Sequence, residues 1–362
     1  MSATAPPDTP PVYAPHPQLL IHPVTLDGER VMAAETSSAT PPLMLRDPRV
    51  ALALSVLPDT GGTREEILAL WRGEEALAPL AEDLWEIVLA EELLLPADQL
   101  PPTAAAWRDY GWAEAYRFHA STRDYPFLQM DQEGAFDLDD ARMAEYIAVS
   151  KPPEITLTLP CDTGVELRKV GADESADAML AAMTPGQRRG REGLSLLMDV
   201  CFGERTRRPF AVQGDFLRKA VPSGGARHPT EAFLVLFDDA VAPPGVYHYN
   251  VEHHRLDLVR PGQHRDAFRH ASFDLFDKFH QEPYGLLVFC SLAERAMWRY
   301  RDARSARALF IDVGHTLMAY RTVIHRLGVG GYTYQKFHDR EIADLLGIDG
   351  ERMIPLFLGT LV

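Results

Sequence analysis

The chain has 362 residues, 46% of them hydrophobic and 24% charged, and 36 lysines and arginines stand against 52 aspartates and glutamates, for a net charge of −16. This length suits two domains of about 150 residues, and the composition is that of a globular chain with a sizeable core, which excludes wholesale disorder and collagen-like structure. So acidic a chain repels phosphate backbones, which argues against a nucleic-acid partner, and no apolar run reaches the roughly 20 residues of a membrane span.

The first residues, MSATAPPDTPP, lack a basic stretch followed by an apolar one, so no secretory signal is expected and the cytoplasm is the expected compartment. Residues 1–40, rich in Pro, Thr and Ala at their start, read as a disordered or extended arm. Residues 41–150 read as a mostly helical, winged-helix-like domain. Thr63 and Glu66 form a capping-box pair that opens a helix through Leu68 and Leu70. Leu77, Leu80, Leu84, Ile87 and Val88 mark a second helix that starts near Pro79. From Arg46 to Asp98 there are 4 basic and 12 acidic residues, which again disfavours DNA and leaves protein contact or packing. The stretch 101–150 is punctuated by prolines and dense in aromatics, without a clear period.

Residues 151–362 read as a second, α+β domain. Helices are expected over Ala176–Ala182 and Leu194–Phe202. AFLVLF (232–237) and GLLVFC (285–290) have the length and composition of buried strands, and GVYHYNVEHHRLDLV (245–259) reads as a hairpin. Leu309, Val313, Leu317, Tyr320, Ile324 and Leu327 recur at steps of three and four, a long helix over 305–327 that Gly328 stops. Gly331–Tyr334 and Ile354–Leu358 are two more strands, with a short helix near Ile342–Leu346 between them.

Several chemistries find no support. Gly328-Val329-Gly330-Gly331 follows a helix and precedes a strand, the reverse of a dinucleotide fingerprint. No phosphate-binding G-x-x-x-x-G-K-[ST] occurs, and Ser195 sits in GLSLL, outside any G-x-S-x-G elbow. Cys161, Cys201 and Cys290 form no C-x-x-C, there is no H-E-x-x-H, and His253-His254 falls in a hairpin turn where solvated histidines are expected, so no metal site is assigned.

One constellation remains. Pro222-Ser223-Gly224-Gly225-Ala226-Arg227-His228-Pro229 leads directly into the apolar strand. Two adjacent glycines let backbone approach a flat ligand, and Ser223 adds a hydroxyl; a tight turn ahead of a strand accounts for the same residues. PSGGARHPTEAF, GVYHYN, WRYRDARSARALFIDVGH and HRLGVGGYTYQKFHDREIADLLGIDG, in this order, resemble the signature blocks of SagB-type peptide dehydrogenases, nitroreductase-like flavoproteins, and most of all the branch of peptide maturation dehydrogenases. The resemblance covers roughly 219–362. It implies an antiparallel sheet flanked by helices, with FMN bound non-covalently, usually at a homodimer interface. It also implies oxidation of azolines in a ribosomal precursor peptide to azoles, with electrons passed on to oxygen, alongside a cyclodehydratase or other maturation enzyme. Relatives reduce dehydroamino acids or nitro compounds, and a flavin-free peptide-binding scaffold is the third alternative.

Carried over residue by residue, the resemblance assigns Pro222, Ser223, Gly224 and Gly225 to a loop along the flavin, and Gly330 and Gly331 to the backbone facing its ring. The two small-residue stretches are thus expected to leave room between them for one planar ring. Gly314-His315 matches a Gly-His on the long helix; His315 lies off the apolar stripe, which suits a packing role as well. Arg299-Tyr300 stands where the family has Lys-Tyr. Arginine stays protonated at any working pH, so proton abstraction falls to Tyr300 or another group, and Arg299 is left to orient a substrate or to form an ion pair. The family's phosphate-binding arginine motif is missing, and Arg188-Arg189 is the nearest basic cluster that can take its place.

Overall fold

The computed structural model describes residues 10–36, 41–161, 163–171, 174–210, 214–278 and 282–362. The chain divides into two compact units, Met1–Gln129 and Met130–Val362. Among the described residues no helix is long and apolar enough to cross a membrane.

In the first unit, strand Val12–Pro15 pairs with Gly62–Thr63 on one side and Leu94–Pro96 on the other, and Leu20–Leu26, Glu29–Glu35 and Leu43–Leu45 form a second three-stranded sheet. Most of residues 12–35 is therefore sheet and not an arm; Ala14, Ala33 and Ala34 are buried, so these strands carry core positions despite Pro15, Pro17 and Pro23. Residues 1–9 and 37–40 lie outside the described residues. The Thr63–Glu66 capping box forms and opens helix Arg64–Gly73, whose Trp71 is fully buried and donates its indole N–H to the Ala53 carbonyl at 2.9 Å. The next helix, Ala81–Ala90, begins just after a turn that holds Pro79. The aromatic stretch yields helices Pro102–Asp109 and Ala113–Arg123; Pro102 marks the start of the first, where its missing N–H costs nothing. Helix Ala135–Val149 groups with the second unit, so the division falls near residue 130 and not 150.

The second unit is built on a seven-stranded antiparallel sheet in the order Thr333–Tyr334, Met353–Leu361, Gly285–Leu292, Thr230–Leu236, Gly245–Asn250, Arg255–Pro261, Gly164–Glu166. Strands Thr230–Leu236 and Gly285–Leu292 are buried at every position, because both faces of the sheet are covered. One face packs on helices Arg191–Phe202 and Ala306–Leu327, the other on Arg265–Ala271 and Asp339–Leu346. The long helix buries Leu309, Val313, Leu317, Tyr320, Val323, Ile324 and Leu327; each such side chain contributes about 1.5–3 kcal/mol by leaving water. Gly328 ends it in the left-handed region at φ 68°. Its outer face leaves Phe310, Ile311 and Met318 exposed around Gly314. The sheet has two distinct ends. Leu236, Gly285 and Leu361 are in register at one, and Thr230, Ser291 and Ile354 at the other.

Candidate functional site

The loop before strand Thr230–Leu236 is strained and clamped. Gly225, Ala226 and His228 all have positive φ, at 58°, 52° and 45°, and a non-glycine residue held there costs on the order of 1–3 kcal/mol. Asp312, buried on the long helix, offsets this. One of its carboxylate oxygens accepts the Ser223 hydroxyl at 2.6 Å and the other the Gly224 N–H at 3.1 Å. The Ser223 oxygen in turn accepts the His228 N–H at 2.8 Å. Burial pushes the Asp312 carboxyl up, and these two donors work against it.

Tyr300 closes the other side of the loop. A Cβ added at Gly225 would lie 1.9 Å from the Tyr300 hydroxyl, whereas one at Gly224 would meet only the Ala308 methyl, at 3.4 Å. Gly225 is thus required by Tyr300 and by its own φ, and it is Gly224 that presents open backbone. Arg299 lies with its guanidinium 4.9 Å from the Tyr300 ring centre and makes a bidentate pair to Asp139, at 2.8 Å to each oxygen, with both side chains largely buried. Its charge is engaged within the chain.

The second glycine stretch sits elsewhere. Cβ atoms at Gly331 would strike the Ile324 side chain at 2.5 Å and the Thr360 carbonyl at 2.7 Å, and at Gly330 they would meet Val362 at 3.2 Å. The Val362 N–H donates to the Gly330 carbonyl, which places this stretch at the Leu361 end of the sheet. The Pro222–Gly225 loop enters the sheet at the Thr230 end. Strand Thr230–Leu236 has seven residues, which is about 23 Å at 3.3 Å per residue. Along the long helix, Asp312 and Ile324 are about 18 Å apart at 1.5 Å per residue, and buried Thr316 and Tyr320 fill the inner face between them. Within one chain the two stretches therefore do not flank a common gap; the expectation of one ring between them is corrected, since spacing in sequence does not say at which end of a strand a loop lies.

Arg188 and Arg189 end the short helix Pro185–Arg189. Arg188 reaches the Leu180 carbonyl at 3.4 Å, while exposed Arg189 acts electrostatically on Tyr284, whose N–H donates to the Leu361 carbonyl. These arginines thus border the end of the sheet that carries Gly330 and Gly331, and not the Ser223 loop. Among the described residues the N–H groups of Gly330 and Gly331 have no acceptor, so this end offers backbone donors and a free guanidinium, and the other end a glycine backbone beside Tyr300. Each half suits part of FMN: the first suits ring nitrogens and a phosphate, the second the ring edge. His315 is exposed on the outer face and acts electrostatically on Asp312. His254, expected in solvent, is buried, and its Nδ1 is hydrogen-bonded to the Tyr249 hydroxyl at 2.6 Å.

A buried ionic cluster behind the loop has only one legible sign in the sequence, a glutamate heading an apolar strand. Glu231 accepts from Arg295 at 2.5 Å and meets His248 at 3.0 Å, all three deeply buried. Burial works to raise the Glu231 carboxyl, but Arg295 and His248 hold it at about 2. Lys219, close by, is brought down to about 8 by burial, with Arg295's like charge adding to it and Glu231 opposing. His228 is lowered to about 3 by burial first and then by Lys219. Its folded value lies below the ordinary 6.5, so the unfolded chain binds the extra proton and stability falls as the pH drops from 6.5 towards 3. In urea titrations at several pH values, His228→Gln is expected to flatten that slope; an unchanged slope counts against a neutral His228.

A model of the nitroreductase family matches residues 177–359. The trifolitoxin-processing protein TfxB of Rhizobium leguminosarum bv. trifolii is 45% identical over 105 residues, 28% of this chain and 28% of its own. The microcin B17-processing protein McbC of Escherichia coli is 25% identical over 146 residues, 39% of this chain and 53% of its own. Among solved structures, the E. coli microcin synthetase McbBCD complex with truncated pro-MccB17 bound aligns with a TM-score of 0.40 at 23% identity, over 48% of this chain and 63% of that one. The matches span about a quarter to a half of these curated relatives' lengths.

Proposed function

The chain belongs to the nitroreductase family, and on that premise we propose that it is an FMN-dependent oxidoreductase of peptide maturation that oxidises azolines in a ribosomally made precursor peptide to azoles. The observation that carries the reading is the Ser223–His228 loop, strained at Ala226 and His228 and clamped by Asp312 against Tyr300; such strain persists where the surroundings over-determine it, and it clusters at working sites. The peptide substrate is supported by the names of the two relatives, both processing proteins of peptide products. A cyclodehydratase or another maturation enzyme would deliver the substrate.

The flavin site in this reading is shared by two copies of the chain. The long helix supports this with its exposed Phe310, Ile311 and Met318 around Gly314, whose missing side chain leaves open space. Antiparallel pairing of two such helices about a two-fold axis near Met318 sets the Asp312 end of one against the Ile324 end of the other. Each ring would then lie between Gly224 of one copy and Gly330 and Gly331 of the other. Arg189, with Arg188 beside it, would take the phosphate. A bound flavin would supply a two-electron acceptor for the hydride from the azoline ring. Tyr300 would take the accompanying proton at its phenolic oxygen, its own hydroxyl proton having passed to water, because Arg299 stays protonated and is held by Asp139. Arg299 orients Tyr300 from its ring face.

Purified protein is expected to be yellow, with FMN found by mass spectrometry of the released chromophore, and to take two hydrogens from an azoline-bearing peptide in air. A protein that stays colourless after supply of FMN overturns the assignment. A second reading, reduction of dehydroamino acids or nitro compounds, is favoured by the protonated Arg299; it requires a reduced nicotinamide donor, which the oxidative reaction does not.

A further inference from the structure

Arg295 is more than Glu231's partner. Its side chain is 3% exposed. Nε donates to the Glu154 carbonyl and Nη1 to the His228 carbonyl, each at 2.8 Å, while Nη1 also meets Glu231. Nη2, equally buried, has no acceptor among the described residues. Arg295 lines a cleft of about 400 Å³, a size ordinary for a ligand site. Arg227, half-buried, lines it too. Its Nε donates to the Gly225 carbonyl at 2.8 Å and its guanidinium covers the Phe216 ring at 4.3 Å. No carboxylate of the described residues pairs with it.

Charge in this cleft is layered. The deep part holds Arg295 and Arg227, with Lys219 behind them, and Glu231 offsets one of these charges. The exposed rim carries both signs: the side chains of Lys151, Glu154 and Asp215 have no ion-pair partner among the described residues, and Arg207 is taken up by Glu204 and Glu252. An anion entering the cleft therefore meets a net positive floor in a chain whose overall charge is −16. The walls are apolar: Pro152, Pro153, Ile155 and Trp298. That combination suits an anionic group on an organic body better than a free phosphate. The cleft also adjoins the proposed reaction centre, since Trp298 is two residues from Tyr300 and Arg227 holds the carbonyl of the glycine against which Tyr300 rests.

We propose that this cleft recognises a carboxylate carried on the peptide substrate, on an acidic side chain or at the C-terminus, next to the residue presented to Tyr300. The proposal rests on the peptide-substrate reading above. The unpaired Nη2 of Arg295 and the free Nη groups of Arg227 would donate to the carboxylate oxygens, a charge-assisted arrangement.

The test uses the full chain as purified, titrated calorimetrically with three blocked pentapeptides: Gly-Gly-Asp-Gly-Gly amide, its Asn counterpart, and pentaglycine with a free C-terminal carboxylate. At least one carboxylate peptide is expected to bind about ten-fold more tightly than the Asn peptide, the scale of one charge-assisted hydrogen bond, and which one does so identifies the source of the carboxylate. Arg227→Gln and Arg295→Gln are each expected to erase the preference; should Arg295→Gln fail to fold, Arg227→Gln decides. Equal binding of all three peptides, no binding, or a preference that survives Arg227→Gln overturns the proposal. So does an Arg227→Gln protein that loses FMN together with the preference, for the cleft would then seat a phosphate. The flavin absorbance of the same samples keeps the two readings apart. A colourless protein that prefers the acidic peptide sinks the flavin assignment alone, and a yellow one without preference sinks the cleft alone.

Discussion

Glu231→Gln is expected to lower the unfolding free energy by about 3–5 kcal/mol, the usual cost of leaving a buried charge without its counter-ion. Arg295 would keep its two backbone acceptors but lose the carboxylate it touches, and Lys219 nearby would lose the negative charge that favours its protonated form. His248, wholly buried, would lose a charged acceptor as well. The urea midpoint reports the change if the slope stays constant. The pH dependence gives an independent sign. Glu231 in the folded chain sits near 2, below its ordinary 4.5, so its contribution is present above 4.5 and is lost as the pH falls through 2. The variant lacks that acid limb. A loss under about 1 kcal/mol would mean that the pair only breaks even against its desolvation cost.

Gly314→Glu is expected to leave the chain folded, monomeric and without flavin. The position is exposed, and a side chain there meets nothing of its own chain, so neither core nor helix is disturbed beyond ordinary propensity. In the shared-site reading it places a carboxylate from each copy within an apolar contact between the two, where an unpaired carboxylate is costly. Light scattering and the visible spectrum then change together while the thermal transition persists. Retention of flavin by a monomer would show that one chain completes the site alone.

Much of the fold was legible because it rests on local rules. The capping pair Thr63–Glu66, the glycine stop at 328 and the two unbroken apolar strands need only nearest-neighbour physics. The four ordered blocks pointed to peptide-maturation relatives of the nitroreductases, which the family match and the processing proteins bear out, together with the α+β fold. What escaped depends on distant partners. Hairpin Glu204–Phe210 with Gly214–Lys219 is charged along its length and shows no apolar alternation. The strands between residues 12 and 35 are interrupted by Pro15, Pro17 and Pro23, which sheets usually exclude. The Arg295–Glu231 pair joins positions 64 residues apart, and only the fold makes them neighbours. Gly225 was read as space for a ligand, and its space is taken by a tyrosine.

In the shared-site reading, with the two glycine stretches at opposite ends of the same strands, a lesion in either one would be inherited by both centres of a dimer. A hybrid made from one chain defective at 224 and one defective at 331 behaves otherwise: both faults gather in a single centre, and the other is assembled entirely from sound parts. Two inactive alleles can thereby complement each other, and the ceiling on that rescue is half the wild-type output per hybrid molecule.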